Sequence, residues 1–240
     1  STIHTALEFM NKHKERKPVI FENDFWYYKE IITTEINTID QIDKDSLLII
    51  SVPFFETFKV KENMDAILEK CSTLGVPVML DLIWLPLTEE EIYLNNTDCV
   101  EVITHSMTKV LPMSGIKGGV CLWRNPCQLR HSTYPLGNNL GFYITQKYFE
   151  EFNYFHVRDS LMKLREKWCS ILGLTSNQFV YSGEIPEGHY LCDQSLHSHR
   201  IPNSNLFSLI PFYENDVVIT TYLKEIGVVD VYGNLIYNKH

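Results

Sequence analysis

Positive charge is in short supply in this sequence. Its 21 lysines and arginines face 30 aspartates and glutamates, a formal net charge of -9. That balance argues against nucleic-acid partners, because phosphate neutralisation needs basic patches. Long hydrophobic runs are lacking too: none reaches the length of a membrane span, and no signal-peptide pattern opens the chain. No membrane partner is therefore expected. The six cysteines (Cys71, Cys99, Cys121, Cys127, Cys169 and Cys192) include no C-x-x-C pair. Several sit inside apolar runs, which suits free thiols in a reducing, cytoplasmic setting. His197-Ser198-His199 near Cys192 and Asp193 alternates without zinc spacing, so no metal is expected. There is no internal repeat, no G-x-S-x-G elbow and no K-T-G.

What is present is core-forming material. Hydrophobic residues make up 45% and aromatics 12% of 240 residues, enough for one large domain with or without a small one. In the first half, short apolar runs alternate with helical spacing. Pro18–Glu22, Ser46–Ser51, Val76–Asp81, Cys99–Thr104 and Gly118–Trp123 read as strands. Thr5–Lys14 and Glu62–Gly75 read as helices, the second with Met64, Ile67 and Leu68 on one face and a glycine stop. Continuous β-branched runs imply strands covered on both faces, hence an α/β fold with a mostly parallel sheet flanked by helices. The second half differs. Gly141–Leu174 is helical and aromatic-rich, as one bent helix or two, and a mixture of strands, helix and turns follows it. A boundary is expected near Pro126–Pro135. It separates a large domain over residues 1–125 from a connecting helix and a reduced α+β small domain over residues 126–240. The glutamates of Leu87–Asn96 read as the solvated start of a helix.

The chemistry concentrates at two strand ends. Val78–Asp81 closes an apolar strand on a carboxylate, costly to bury unless something cationic pairs with it. The next strand ends at Thr104 and leads into His105-Ser106-Met107-Thr108-Lys109. Asp81 and Lys109 therefore lie at the ends of two strands expected to be neighbours. They can be a bare ion pair, or the two ends of a cofactor. Pyridoxal phosphate needs both groups: a lysine for the Schiff base and an acid at the pyridine nitrogen. Ser106, Thr108 and Lys117 offer hydroxyls and a cation for its phosphate. Ser106-Met-Thr-Lys109 is also literally an S-x-x-K motif, but Pro112 and Gly115 follow too soon for the helix which that nucleophile requires.

These residues resemble the class I/II aminotransferases of the fold-type I pyridoxal-phosphate enzymes. That family writes Ser-x-x-Lys and then a Gly-x-Arg-x-Gly turn; this chain has Ser106-Met-Thr-Lys109 and Gly115-Ile-Lys117-Gly-Gly119. The family's Asp-x-x-Tyr stands here as Asp81-Leu-Ile-Trp84, and Tyr222–Tyr237 looks like its late glycine-valine segment. The resemblance implies that Lys109 carries the cofactor and Asp81 holds its ring nitrogen. It implies Ser106, Thr108 and Lys117 at the phosphate, with Ser1 or Thr2 adding a helix N-terminus. Trp84 takes the tyrosine position, and Phe25 or Trp26 stacks on the ring. The implied protein is an aminotransferase acting on an amino acid or other amine, working as a homodimer.

Three departures matter. Lys117 replaces an arginine and loses the bidentate fork. Phe55 aligns with an asparagine that hydrogen-bonds the cofactor, which phenylalanine cannot do. The sequence stops at His240, before the position of the arginine that clamps a substrate carboxylate in the family. The alternative is accordingly a catalytically inactive descendant that keeps the fold as a scaffold or partner-binding subunit.

Overall fold

The computed structural model describes residues 2–57, 59–89, 92–106, 119–125, 139–151, 155–177, 179–185 and 206–209. They fall into two compact units, Ser1–Pro86 with Glu90–Tyr154, and Leu87–Glu89 with Phe155–His240.

The first unit is built on a six-stranded sheet. Its strands are β1 (Lys17–Phe21), β2 (Glu35–Ile36), β3 (Ser46–Ser51), β4 (Val78–Asp81), β5 (Val100–Ser106) and β6 (Gly119–Trp123). Their order is β2-β1-β3-β4-β5-β6. The first five run parallel and β6 is antiparallel to β5. The expected mostly parallel α/β sheet is thus observed. Each anticipated strand is present, displaced at its ends by two residues or fewer, the usual uncertainty of a terminus.

Alternation splits each inner strand between two apolar layers. Val19, Phe21, Leu48, Ile50, Val78 and Leu80 pack with Ile67, Leu68 and Cys71 of α2 (Met64–Leu74). Ile20, Leu47, Ile49, Met79 and Val102 pack with Ala6 and Phe9 of α1 (Thr2–Lys12) and with Tyr28. All six residues of β3 are buried, as a central parallel strand requires. Buried residues of α2 recur at helical spacing, and the helix stops at Gly75 in the left-handed region (φ 65°), where glycine bears no Cβ penalty. Gly119 has a different reason: a Cβ there would strike the His105 carbonyl, so the pairing of β6 with the end of β5 requires glycine.

α1 runs antiparallel to β5. Its last residue, Lys12, and His13 meet Glu101 at the start of β5. Thr5 bonds Cys121, which is paired in register with Thr104 near the end of β5. The beginning of α1 therefore shares an edge with the C-terminal ends of the parallel strands.

α3 (Asn139–Glu151) closes the described part of the first unit, and α4 (His156–Leu172) opens the long part of the second. Gly141–Leu174 is therefore two helices. The second unit also holds a three-stranded antiparallel sheet of β7 (Thr175–Ser176), β8 (Ser182–Glu184) and β9 (Leu206–Ser208). The helix expected to begin in Leu87–Asn96 is not found among the described residues. Leu85–Leu87 is a 3₁₀ turn, and Thr88 is extended, forming a β-bridge with Phe179. The pairing is reinforced by the Val180 N–H on the Leu87 carbonyl (3.0 Å); Glu90 and Glu91 lie outside the described residues. His197-Ser198-His199 and Tyr222–Tyr237 lie outside the described residues.

Candidate functional site

The strand register makes one polar row. Ser51 of β3 is paired with Asp81 of β4, and Asp81 with Thr104 of β5. All three are buried, and all follow the alternation that puts Leu47, Ile49, Met79 and Val102 on the α1 side. At the C-terminal edge of that face the apolar layer gives way to hydroxyl, carboxylate and hydroxyl. Ser106, the last residue of β5, continues along the same face.

Asp81 is the centre of the row, 2% exposed. Its Oδ2 accepts a hydrogen bond from the Tyr28 hydroxyl at 2.6 Å. Its Oδ1 accepts the Ile83 N–H at 3.1 Å and the Thr104 hydroxyl at 3.3 Å. Burial pushes the carboxyl up to about 7; the Tyr28, Ile83 and Thr104 bonds pull it down, and the charge of nearby Asp24 pushes it further up. The same burial, together with the negative charge of Asp81, raises the Tyr28 phenol well above its usual value. The turn after Asp81 is held from two sides. Leu82 donates its N–H to the Thr104 carbonyl (2.8 Å), and its own carbonyl accepts from His105 Nδ1 (3.1 Å). A carbonyl only accepts, so His105 is protonated on Nδ1, and burial lowers its affinity for a second proton. His105 points to the face opposite Ser106, as adjacent strand residues must.

The aromatic turn lies beside this row. Trp26–Glu30 forms a 3₁₀ helix that starts after Phe25. Phe25 is half-buried, with ring centroids 5.8 Å from Tyr28 in an edge-to-face pair and 5.4 Å from Phe55. Trp26 is 53% exposed and tilts onto Tyr27. Of the two aromatic candidates for ring stacking, Phe25 is therefore the one packed against Tyr28, which bonds Asp81. Trp84 is buried on the turn that follows β4, and Thr2 is buried at the start of α1. Ser1, Thr108, Lys109 and Lys117 lie outside the described residues.

Sequence reasoning overlooked Asp24, Tyr28 and Ser51. Asp24 is 1% exposed and accepts the Phe25 N–H at 2.7 Å and the Ser51 N–H at 3.0 Å. Burial raises its proton affinity, against the pull of Ser51, Phe25 and the more distant Lys61 ammonium. The Ser51 hydroxyl also pulls the Asp24 carboxyl down, against the effect of burial. The one signal in the sequence was that Asp24 closely follows an apolar strand, as Asp81 ends one. Among the described residues, no group of three or more His, Cys, Asp or Glu is arranged to hold a metal ion.

No protein-family model matches the chain, and no curated protein matches it by sequence. Solved structures do. N-succinyldiaminopimelate aminotransferase from Mycobacterium tuberculosis superposes with a TM-score of 0.57 at 13% identity, over 70% of this chain and 55% of that one. The fold is the aminotransferase fold. Alanine aminotransferase from Pyrococcus furiosus aligns with a TM-score of 0.56 at 14% identity, over 78% of this chain and 60% of that one. A PLP-bound C-S lyase from Staphylococcus hominis aligns with a TM-score of 0.57 at 15% identity, over 99% and 66%. The aminotransferase fold expected from the resemblance is thereby observed, at identities that speak for the fold alone. The chain spans 55% and 60% of the two aminotransferases. No helix among the described residues is long and apolar enough to cross a membrane.

Proposed function

We propose that this aminotransferase-fold chain is a pyridoxal-phosphate-dependent enzyme acting on an amino acid or other amine, most simply an aminotransferase. The observation that carries the reading is Asp81: a buried carboxylate at the C-terminal end of a parallel strand, bonded by three donors, with a carboxyl pushed up to about 7. None of those donors is cationic. A protonated pyridine nitrogen would supply a positive charge that the described donors do not, and the half-buried Phe25 ring offers an apolar face beside Tyr28. The described donor set thus fits the cofactor's ring, and the fold's ligand position at strand C-termini fits its placement.

When bound, the cofactor draws electrons from the substrate carbon through its protonated ring. The chain's own residues do the rest. Asp81 keeps a proton on the ring nitrogen, and Tyr28 and Thr104 hold its carboxylate in place. Phe25, ahead of Trp26, stacks on the ring, and Trp84 takes the position of the family's tyrosine. Ser106, Thr108 and Lys117 bind the phosphate, with Ser1 or Thr2 at the beginning of α1 adding backbone N–H groups. Lys109 would hold the cofactor's aldehyde carbon, and its amine would carry a proton to and from the substrate carbon. A large domain over residues 1–125, a connecting helix and reduced small domain over residues 126–240, a homodimer and a cytoplasmic setting complete the proposal.

The second reading, a catalytically inactive scaffold, draws support from Phe55. Its ring packs on Phe25 where the family places a hydrogen-bonding asparagine. An absorption spectrum of the purified protein with added pyridoxal phosphate separates the two. We expect a visible band that Lys109→Ala abolishes. No band at excess cofactor would leave only the scaffold reading.

A further inference from the structure

We propose that Asp24 is a positioning residue for the ring side of this pocket: its buried carboxylate ties the Phe25 turn to the end of β3 and so sets where the Phe25 ring and the Tyr28 hydroxyl stand. The inference rests on the cofactor reading above and adds a residue to it.

The geometry is a chain of four links. Asp24 Oδ1 accepts the Phe25 N–H at 2.7 Å, and Oδ2 accepts the Ser51 N–H at 3.0 Å. One carboxylate thereby bridges the turn after β1 and the last residue of β3. The Phe25 carbonyl then accepts the Tyr28 N–H at 2.9 Å, which starts the 3₁₀ turn. Tyr28 Oη reaches Asp81 at 2.6 Å. Upstream, Asn23 takes a left-handed backbone (φ 63°) and donates its Nδ2 to Glu56 at 3.1 Å, so the turn is held on both sides of Asp24.

Chemistry explains why an aspartate stands there. It must accept two backbone N–H groups with two different oxygens. An asparagine has one oxygen, and its amide nitrogen would face an N–H. A neutral residue would avoid the cost of burying a charge, which here has no directly bonded cation among the described residues. The Lys61 ammonium is engaged over the Phe54 ring at 3.8 Å and acts on Asp24 only at longer range. A second buried carboxylate near Asp81 also biases the pocket toward a positively charged occupant. Ring recognition and charge preference thus converge on one side chain that never touches the ligand.

The test compares the wild type with Asp24→Ala and Asp24→Asn, using pyridoxal 5'-phosphate and inorganic phosphate as separate probes in calorimetric titrations. Amide hydrogen exchange of Phe25, Tyr28 and Ser51 is followed in the ligand-free protein. We expect the pyridoxal phosphate dissociation constant to rise about tenfold or more in Asp24→Ala, the loss of a charge-assisted bond. It should rise less in Asp24→Asn, which keeps one acceptor, and phosphate affinity should not change. Exchange at all three amides should accelerate in Asp24→Ala. If Asp24→Ala does not fold, Asp24→Asn carries the comparison. Equal losses for both probes, or faster exchange with unaltered pyridoxal phosphate affinity, would overturn the role of Asp24 alone. A wild type that takes up no pyridoxal phosphate would overturn the cofactor reading first, and this role with it.

Discussion

The two faces of the central sheet are made by the same strands and end differently. On the α2 side, Phe21, Ile50 and Leu80 carry apolar packing to the strand ends. On the α1 side, the layer of Leu47, Ile49, Met79 and Val102 stops one row earlier and is replaced by Ser51, Asp81 and Thr104. One position along each strand changes the face, so neighbouring residues in sequence serve different ends. The α2 face shows what the fold needs for stability. The last row of the α1 face shows what it carries at a cost: a buried carboxylate shifted toward its protonated form.

If the apolar rows of the two faces are equivalent, Ile49→Ala on the α1 side and Ile50→Ala on the α2 side should each cost about 2–5 kcal/mol, the usual range for a fully buried isoleucine. Urea denaturation measures both. A much smaller loss at Ile49 would mean that the α1 face is loosely packed throughout, not merely at its polar row.

Asp81→Asn should act in the opposite sense. The folded-state carboxyl of Asp81 is raised from 3.8 to about 7, so the folded protein holds a proton that the unfolded chain releases. Stability therefore falls as pH rises from about 4 to about 7 and is level above that window. The asparagine variant escapes the penalty. Without cofactor it should be more stable than the wild type at pH 8, by on the order of a few kcal/mol, and no more stable below about pH 4. Thermal unfolding at both pH values tests this. The same variant should lose the affinity for pyridoxal phosphate that Asp81 is proposed to provide.

Tyr28→Phe sharpens the comparison further, because it leaves the apolar layer intact and removes one donor from the polar row. The Tyr28 bond lowers the Asp81 carboxyl, so the variant should titrate Asp81 above about 7. At pH 8 it should be less stable by about 1.5–3 kcal/mol, the range for a hydrogen bond to a charged group. Carbon-detected NMR of the aspartate carboxyls follows the titration. An unmoved midpoint would show that the Tyr28 bond does not help set the Asp81 carboxyl.

Much of this was legible in the residues themselves. The five anticipated strands of the first unit announced themselves as short apolar runs, α2 by its 3.6-residue spacing and its glycine stop, and Asp81 by standing at the end of such a run; the two-residue β2 and the short polar strands β7 and β8 gave no such signal. Local composition suggested a helix in Leu87–Asn96, whereas among its described residues Thr88 pairs with Phe179, a contact that spans the sequence. Phe25 and Trp26 were indistinguishable as neighbours; only packing separated the half-buried ring from the exposed one.

Strand and helix positions depend on periods of two and 3.6 residues, which any short window of the chain contains. Asp81 as a site residue depended on one local anomaly, a charge after four apolar positions. The meeting of Asp24, Tyr28, Ser51, Asp81 and Thr104 depends instead on the order β1-β3-β4-β5, which sets distant strand ends side by side. That order was decided by how five parallel strands share two apolar layers, a property of the whole sheet that no single stretch of sequence records.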